Sequence, residues 1–110
     1  MNRNMIDLSS PAPSTGDPVR LARLVRHLEA RLNDFGPVGP EVRSADQQTG
    51  VVLAAFSGRS PQKLADALAQ NFGILVRAEG ECIVFRLTAD CPFEDLDYVW
   101  GCLFQILSES

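Results

Sequence analysis

Apolar and polar positions in this chain change period several times, and each change marks an element. Leu21, Leu24, Val25, Leu28, Leu32 and Phe35 recur at intervals of three and four, which predicts an amphipathic helix of four turns. Asp17-Pro18 opens it, with a capping acceptor followed by a proline at the position that needs no amide. Gly36-Pro37 is expected to close it. Val51 to Phe56 is a short apolar run between Gly50 and Ser57-Gly58, a length that favours a buried strand. Ser60-Pro61 then starts a second helix, whose stripe is Leu64, Ala65, Leu68, Ala69 and Phe72 and whose end is bracketed by Asn71 and Gly73. Ile74 to Arg77 reads as the next strand, Glu79-Gly80 as a tight turn, and Cys82 to Leu87 as the returning strand. A last helix begins near Asp90 or Cys91 with Pro92 in its first turn, and Glu94, Asp95 and Asp97 sit near the positive end of its dipole. That helix is apolar on most sides, through Leu96, Val99, Trp100, Leu103 and Leu107 and also Tyr98, Cys102 and Phe104. A helix of this kind is usually buried on most sides.

These elements define a topology. The hairpin makes its two strands antiparallel neighbours, and the helix before it makes the first and second strands parallel. The third strand then fits between them, giving the order 1-3-2. Ile83, Phe85 and Leu87 share the face that meets the helices, while Cys82, Val84 and Arg86 share the other. The fold class expected is α+β: a two-layer sandwich with a small, mainly antiparallel sheet, a βαββα core, an added N-terminal helix, and helices packed on one face. Residues 36–49 form a Pro- and Gly-rich connection in which Glu41-Val42-Arg43-Ser44 is a weak edge strand. Residues 1–16, with their Ser- and Pro-rich run from Ser9 to Gly16, read as a flexible N-terminal tail. Residues 17–110 read as a single α+β domain.

Composition narrows the partners. The chain has 110 residues, 45% hydrophobic and 22% charged, with a formal net charge of −4; this suits one ordinary globular domain. An acidic pI of 4.8 argues against general nucleic-acid binding. Met1 to Leu8 holds no long apolar region, so neither signal peptide nor membrane span is expected and the protein is expected to be cytoplasmic. Arg20, Arg23, Arg26 and Arg31 lie off the apolar stripe of the first helix. They read either as a solvated face or as a docking face for an acidic partner.

Few residues suggest chemistry. Cys82, Cys91 and Cys102 are widely spaced, without a CxxC pair, and read as small buried hydrophobes. A Cys-His nucleophile would have to join Cys91 to His27, and the spacing offers no zinc knuckle. No catalytic, metal or cofactor residue is therefore expected. Arg86 differs, because an arginine between Phe85 and Leu87 on a central strand is seldom there for solubility alone. It is the candidate contact for a small carboxylate, set against an internal salt bridge to Glu79 or Asp90 or simple exposure on an open sheet face.

Several short motifs point in one direction: Leu64-Ala65-Asp66-Ala67-Leu68, then Asn71 to Arg77, then Phe85-Arg86-Leu87-Thr88, then Phe93-Glu94-Asp95-Leu96-Asp97. In this order they resemble the C-terminal small domain of fold-type-I pyridoxal-phosphate-dependent transferases, the aminotransferase superfamily, over residues 50–107. In that family the arginine at this strand end binds a substrate α-carboxylate through a bidentate fork, a role the resemblance carries to Arg86. The family's cofactor lysine, its aspartate facing the pyridine nitrogen and its phosphate cup belong to a large domain not present among these residues. The lone lysine, Lys63, falls in the first turn of a surface helix. Three functional classes stay open: a stand-alone, non-catalytic domain acting through protein contacts, an amino-acid or keto-acid sensor using Arg86, and the small-domain half of a split aminotransferase. A homodimer is expected, since the missing large domain would leave a docking surface and the last helix is apolar on so many sides.

Overall fold

Asp17 caps the first helix as its sequence suggests, its carboxylate accepting the Val19 N–H at 2.9 Å. Pro18 follows at the first position of α1 (Pro18–Asn33), which buries Leu21, Leu24, Val25, Leu28 and Leu32. These features come from a computed structural model that describes residues 5–9, 16–35, 39–56 and 58–108. Helix α1 stops at Asn33, before the Gly36-Pro37 pair, which lies outside the described residues. Ser60 caps α2 (Pro61–Phe72) by accepting from the Lys63 N–H. Gly73 closes α2 in the left-handed region, at φ 68°, with its N–H returned to the Ala69 carbonyl.

Around these helices the strands are β1 (Ile6–Asp7), β2 (Glu41–Asp46), β3 (Val51–Ala55), β4 (Ile74–Leu75), β5 (Arg77–Glu79) and β6 (Cys82–Arg86), and the last element is α3 (Phe93–Ser108). The fold is α+β. One sheet has the order β2-β3-β6-β5, and β1 and β4 form a second, two-stranded one. The expected 1-3-2 order holds in β3-β6-β5, both of whose pairings are antiparallel. The helices and the inner sheet face, including Val52, Ala54, Ile83 and Phe85, form one buried cluster.

Five expectations need correction. The first sixteen residues are not all tail: Ile6 and Leu8 are 6% and 2% exposed. Strand β1 pairs in parallel with β4, and the Leu8 carbonyl accepts the Arg86 N–H at 2.8 Å. Two apolar side chains and a run of backbone bonds outweigh the cost of ordering this short segment; residues 10–15 of the same stretch lie outside the described residues. The weak edge strand is a full six-residue strand, because Val42 and Ala45 pack on the core and a bulge at Arg43 absorbs the register change. Pro40 precedes it, where a missing amide is tolerated. The expected strand from Ile74 to Arg77 breaks at Val76: its first half pairs with β1 and its continuation with β6. The hairpin turn is Gly80-Glu81 rather than Glu79-Gly80, since Glu79 pairs with Cys82 and Gly80 takes φ 60°. Pro92 lies just before α3 and accepts the Asp95 N–H through its carbonyl.

Candidate functional site

Side chains alternate across a strand, so the register of the four-stranded sheet fixes what its far face carries. One row across it holds Asp46, Val51 and Arg86; the next holds Ser44, Leu53, Val84 and Arg77; the third holds Glu41, Ala55, Cys82 and Glu79. The centre of this face is apolar and its border is charged. Ala55 and Val84 are buried there, yet neither belongs to the main core cluster. Val51, Leu53 and Cys82 are half-buried. All three helices bury their stripes in the cluster on the opposite side of the sheet.

Arg86 lies on this face, as expected. Its Nε is buried and has no hydrogen-bond partner. A buried guanidinium nitrogen left unpaired is costly, and a carboxylate arriving at this face would satisfy it. The expected bridge from Arg86 to Glu79 does not form, because Glu79 pairs instead with Arg77 at 3.6 Å. Asp46 is the acidic counterweight at the far end of the same row. Its Oδ1 accepts the Gln48 N–H at 2.8 Å and the Thr49 N–H at 3.2 Å, and these backbone bonds hold its carboxyl below the usual carboxylate range. Sequence inspection picked out Arg86 alone. Arg77, Leu53 and Asp46 joined it only once strand pairing was fixed, although Asp46 to Gly50 carries its own turn signal.

Other candidate chemistry is engaged within the chain. His27 Nε2 lies 2.8 Å from Asp97 Oδ1, and Arg31 Nε donates to the same oxygen at 3.0 Å. The His27 hydrogen bond is the main cause of an Asp97 carboxyl held below its ordinary value, with Arg31 adding to it. Asp97 therefore joins α1 to α3 and does more than complement a helix dipole. Cys91 does not pair with His27: its thiol donates weakly to the Pro92 carbonyl at 3.6 Å. Burial, with the nearby Asp95 charge, pushes that thiol up to about 11, the reverse of what a nucleophile needs. Arg20 is not merely solvated, since it donates to the Ala89 and Cys91 carbonyls at 2.7 and 3.2 Å. Arg23 and Arg26 stay exposed.

Lys63 borders an open groove of about 380 Å³ whose other lining residues are Gly58, Arg59, Ser60, Leu64, Ala67 and Ile106. No carboxylate stands among them to face a pyridine nitrogen, so these residues do not fit pyridoxal phosphate. A larger cavity of about 540 Å³ opens at the end of the sheet, lined in part by Glu41, Arg43, Arg59 and Glu81. Two of its charges already pair, Arg43 with Glu41 at 2.6 Å, and Arg59 donates to the Leu107 carbonyl at 3.3 Å. Among the described residues no group of three or more His, Cys, Asp or Glu is placed to hold a metal ion. No described helix is long and apolar enough to cross a membrane.

One cluster was not foreseen as a unit. Phe35, Trp100 and Phe104 stack with centroids 5.5–6.2 Å apart, and the Arg31 guanidinium lies 5.5 Å above the Trp100 ring. Phe35, at the end of the α1 region, thus covers part of α3, and Phe104 keeps 53% of its surface exposed. No protein-family model matches this sequence, and no curated protein matches it either.

Proposed function

We propose that this chain is a non-catalytic domain, resembling the small domain of pyridoxal-phosphate-dependent transferases, that acts through protein contacts on the far face of its sheet. The observation that carries this is the apolar centre formed by Val51, Leu53, Ala55, Cys82 and Val84, which stands apart from the main core. Ala55 and Val84 are buried and Val51, Leu53 and Cys82 half-buried, so what this face offers a partner is a narrow apolar strip bordered by charge. The domain works in the cytoplasm, self-associates, and takes neither nucleic acid nor membrane as its partner. A photo-crosslinking amino acid in place of Leu53, introduced in cells, should capture protein, whereas the same group in place of the exposed Arg23 should not. Equal capture at the two positions, or none at either, would remove the basis for this function.

A second function is favoured by one specific observation, the unpartnered Nε of Arg86. On it, the domain binds a small amino or keto acid through its carboxylate. Thermal unfolding in the presence of amino acids and keto acids tests it: a stabilising ligand should lose its effect on Arg86→Lys, which keeps the charge but not the fork. No shift with any of them would end that alternative.

A further inference from the structure

Beside the hairpin the sheet is split, and the split holds a strand. Strands β5 and β6 pair with Arg77 opposite Val84, a register that would carry Leu75 opposite Arg86. The chain breaks at Val76 instead, and Leu8 lies between the two. Its N–H donates to the Leu75 carbonyl at 2.8 Å, and its carbonyl accepts the Arg86 N–H at 2.8 Å. The Ile6 N–H donates to the Gly73 carbonyl at 2.9 Å, and β1 runs parallel to β4. The segment is therefore wedged between β4 and β6. We propose that this slot is a peptide-binding site, closed by the chain's own residues 5–9, from which an extended apolar-basic-apolar segment of a partner protein displaces them. The site lies apart from the contact surface proposed above and does not depend on it.

In strand addition, backbone bonds hold the incoming segment and alternate side chains select it. Ile6 and Leu8 are 6% and 2% exposed and belong to the main core, so these two places demand aliphatic side chains. Asp7 between them borders a different space. It lines a cavity of about 170 Å³ together with Asp90, Asp95, Thr88 and Cys91. No Lys, Arg or His stands among the described residues that line it. The segment thus brings a third carboxylate to a cavity that already holds two, and like charges so placed repel. Asp7 Oδ1 accepts the Ser9 N–H and hydroxyl at 2.9 and 2.8 Å, bonds inside the segment that fasten it to neither strand. A lysine or arginine in its place turns the repulsion into attraction. The chain's own segment fits at its two anchors and is mismatched between them, which suits a displaceable plug. As a tethered competitor it lowers the apparent affinity of any peptide in proportion to the time it spends in the slot.

Fluorescence anisotropy on the full chain tests this, with one labelled peptide carrying the sequence of residues 2–10 and a second carrying Asp7→Lys. The lysine peptide should bind the wild-type chain about tenfold or more tighter than the native one. The chain variant Asp90→Asn/Asp95→Asn should remove most of that difference. A lysine peptide that also carries Leu8→Asp should not bind, because its carboxylate cannot enter the core. No binding, equal affinity for the first two peptides, or a difference undiminished in the double variant would each overturn the proposal. Binding of the Leu8→Asp peptide would reduce it to general attraction by an acidic chain. A second measurement uses Asp7→Lys in the chain itself, at an exposed position. The amides of Ile6, Leu8 and Arg86 should then exchange with solvent about tenfold more slowly than in the wild type. The same variant should bind the lysine peptide about tenfold more weakly. Unchanged exchange and unchanged affinity would show that position 7 has no part in closing the slot, and the proposal would fall.

Discussion

At the scale of single residues, burial decides what each side chain can do. Leu68 is 0% exposed between α2 and the sheet, so Leu68→Ala should cost about 2–5 kcal/mol through lost transfer energy and a cavity. Arg23→Ala, at an exposed position, should change stability by less than about 0.5 kcal/mol. Chemical denaturation of both variants checks the assignment of faces, and equal losses would contradict it. The same logic applies to the thiol of Cys91, which burial holds protonated up to about pH 11. Alkylation followed by mass mapping should show Cys91 almost inert at neutral pH, with its rate climbing only as the pH nears 11. Gly50 is constrained for another reason. It sits at φ 79°, and an added Cβ would collide with the Leu87 carbonyl oxygen, so Gly50→Ala should destabilise by about 1 kcal/mol or more.

Between elements, the contact of α1 with α3 illustrates how charges fasten two helices. Asp97 accepts from both His27 and Arg31, and its carboxyl is held below the ordinary carboxylate value chiefly by the His27 hydrogen bond. A depressed folded-state value means that the stabilisation is present above the unfolded value, near pH 4. It is lost as the pH falls through the lower folded one. Wild-type stability should therefore fall more steeply than that of Asp97→Asn below about pH 4, and the two curves should run parallel well above it. Asp97 is partly exposed, so the difference should be small and should shrink with added salt. Thermal unfolding against pH, at low and high ionic strength, measures both effects. At the other edge of the fold, β1 holds its place through Ile6, Leu8 and the bonds that Gly73, Leu75 and Arg86 share with it. Removing residues 1–9 should cost about 3–6 kcal/mol, from two buried aliphatic side chains at about 1.5–3 kcal/mol each. Retained stability after this truncation would mean that the segment only decorates the sheet.

Across the whole molecule, local signals fixed the elements and long-range pairing fixed the surface. The helices were legible because their caps and stripes are local: Asp17-Pro18, Ser60-Pro61 and Gly73 act on backbone groups within a turn of themselves. The 1-3-2 order was legible too, since a tight hairpin and a crossover helix leave few ways to join three strands. Strand β2 was less so, because its apolar positions, Val42 and Ala45, are too few to declare a period across a bulge at Arg43. The role of Ile6 and Leu8 was hidden, since no short-range pattern reveals that a segment near the start pairs with Ile74 and Leu75. The site divides in the same way. Arg86 could be singled out from its apolar neighbours, whereas its row-mates Asp46 and Val51 and its unpaired Nε belong to the folded state alone. The sequence by itself determined the helices, the hairpin and the inward set of apolar residues, because these depend on interactions a few residues apart. Only the tertiary structure decided which charges border the far face and that its apolar centre stands apart from the core, because register between distant strands is settled by packing the whole chain at once.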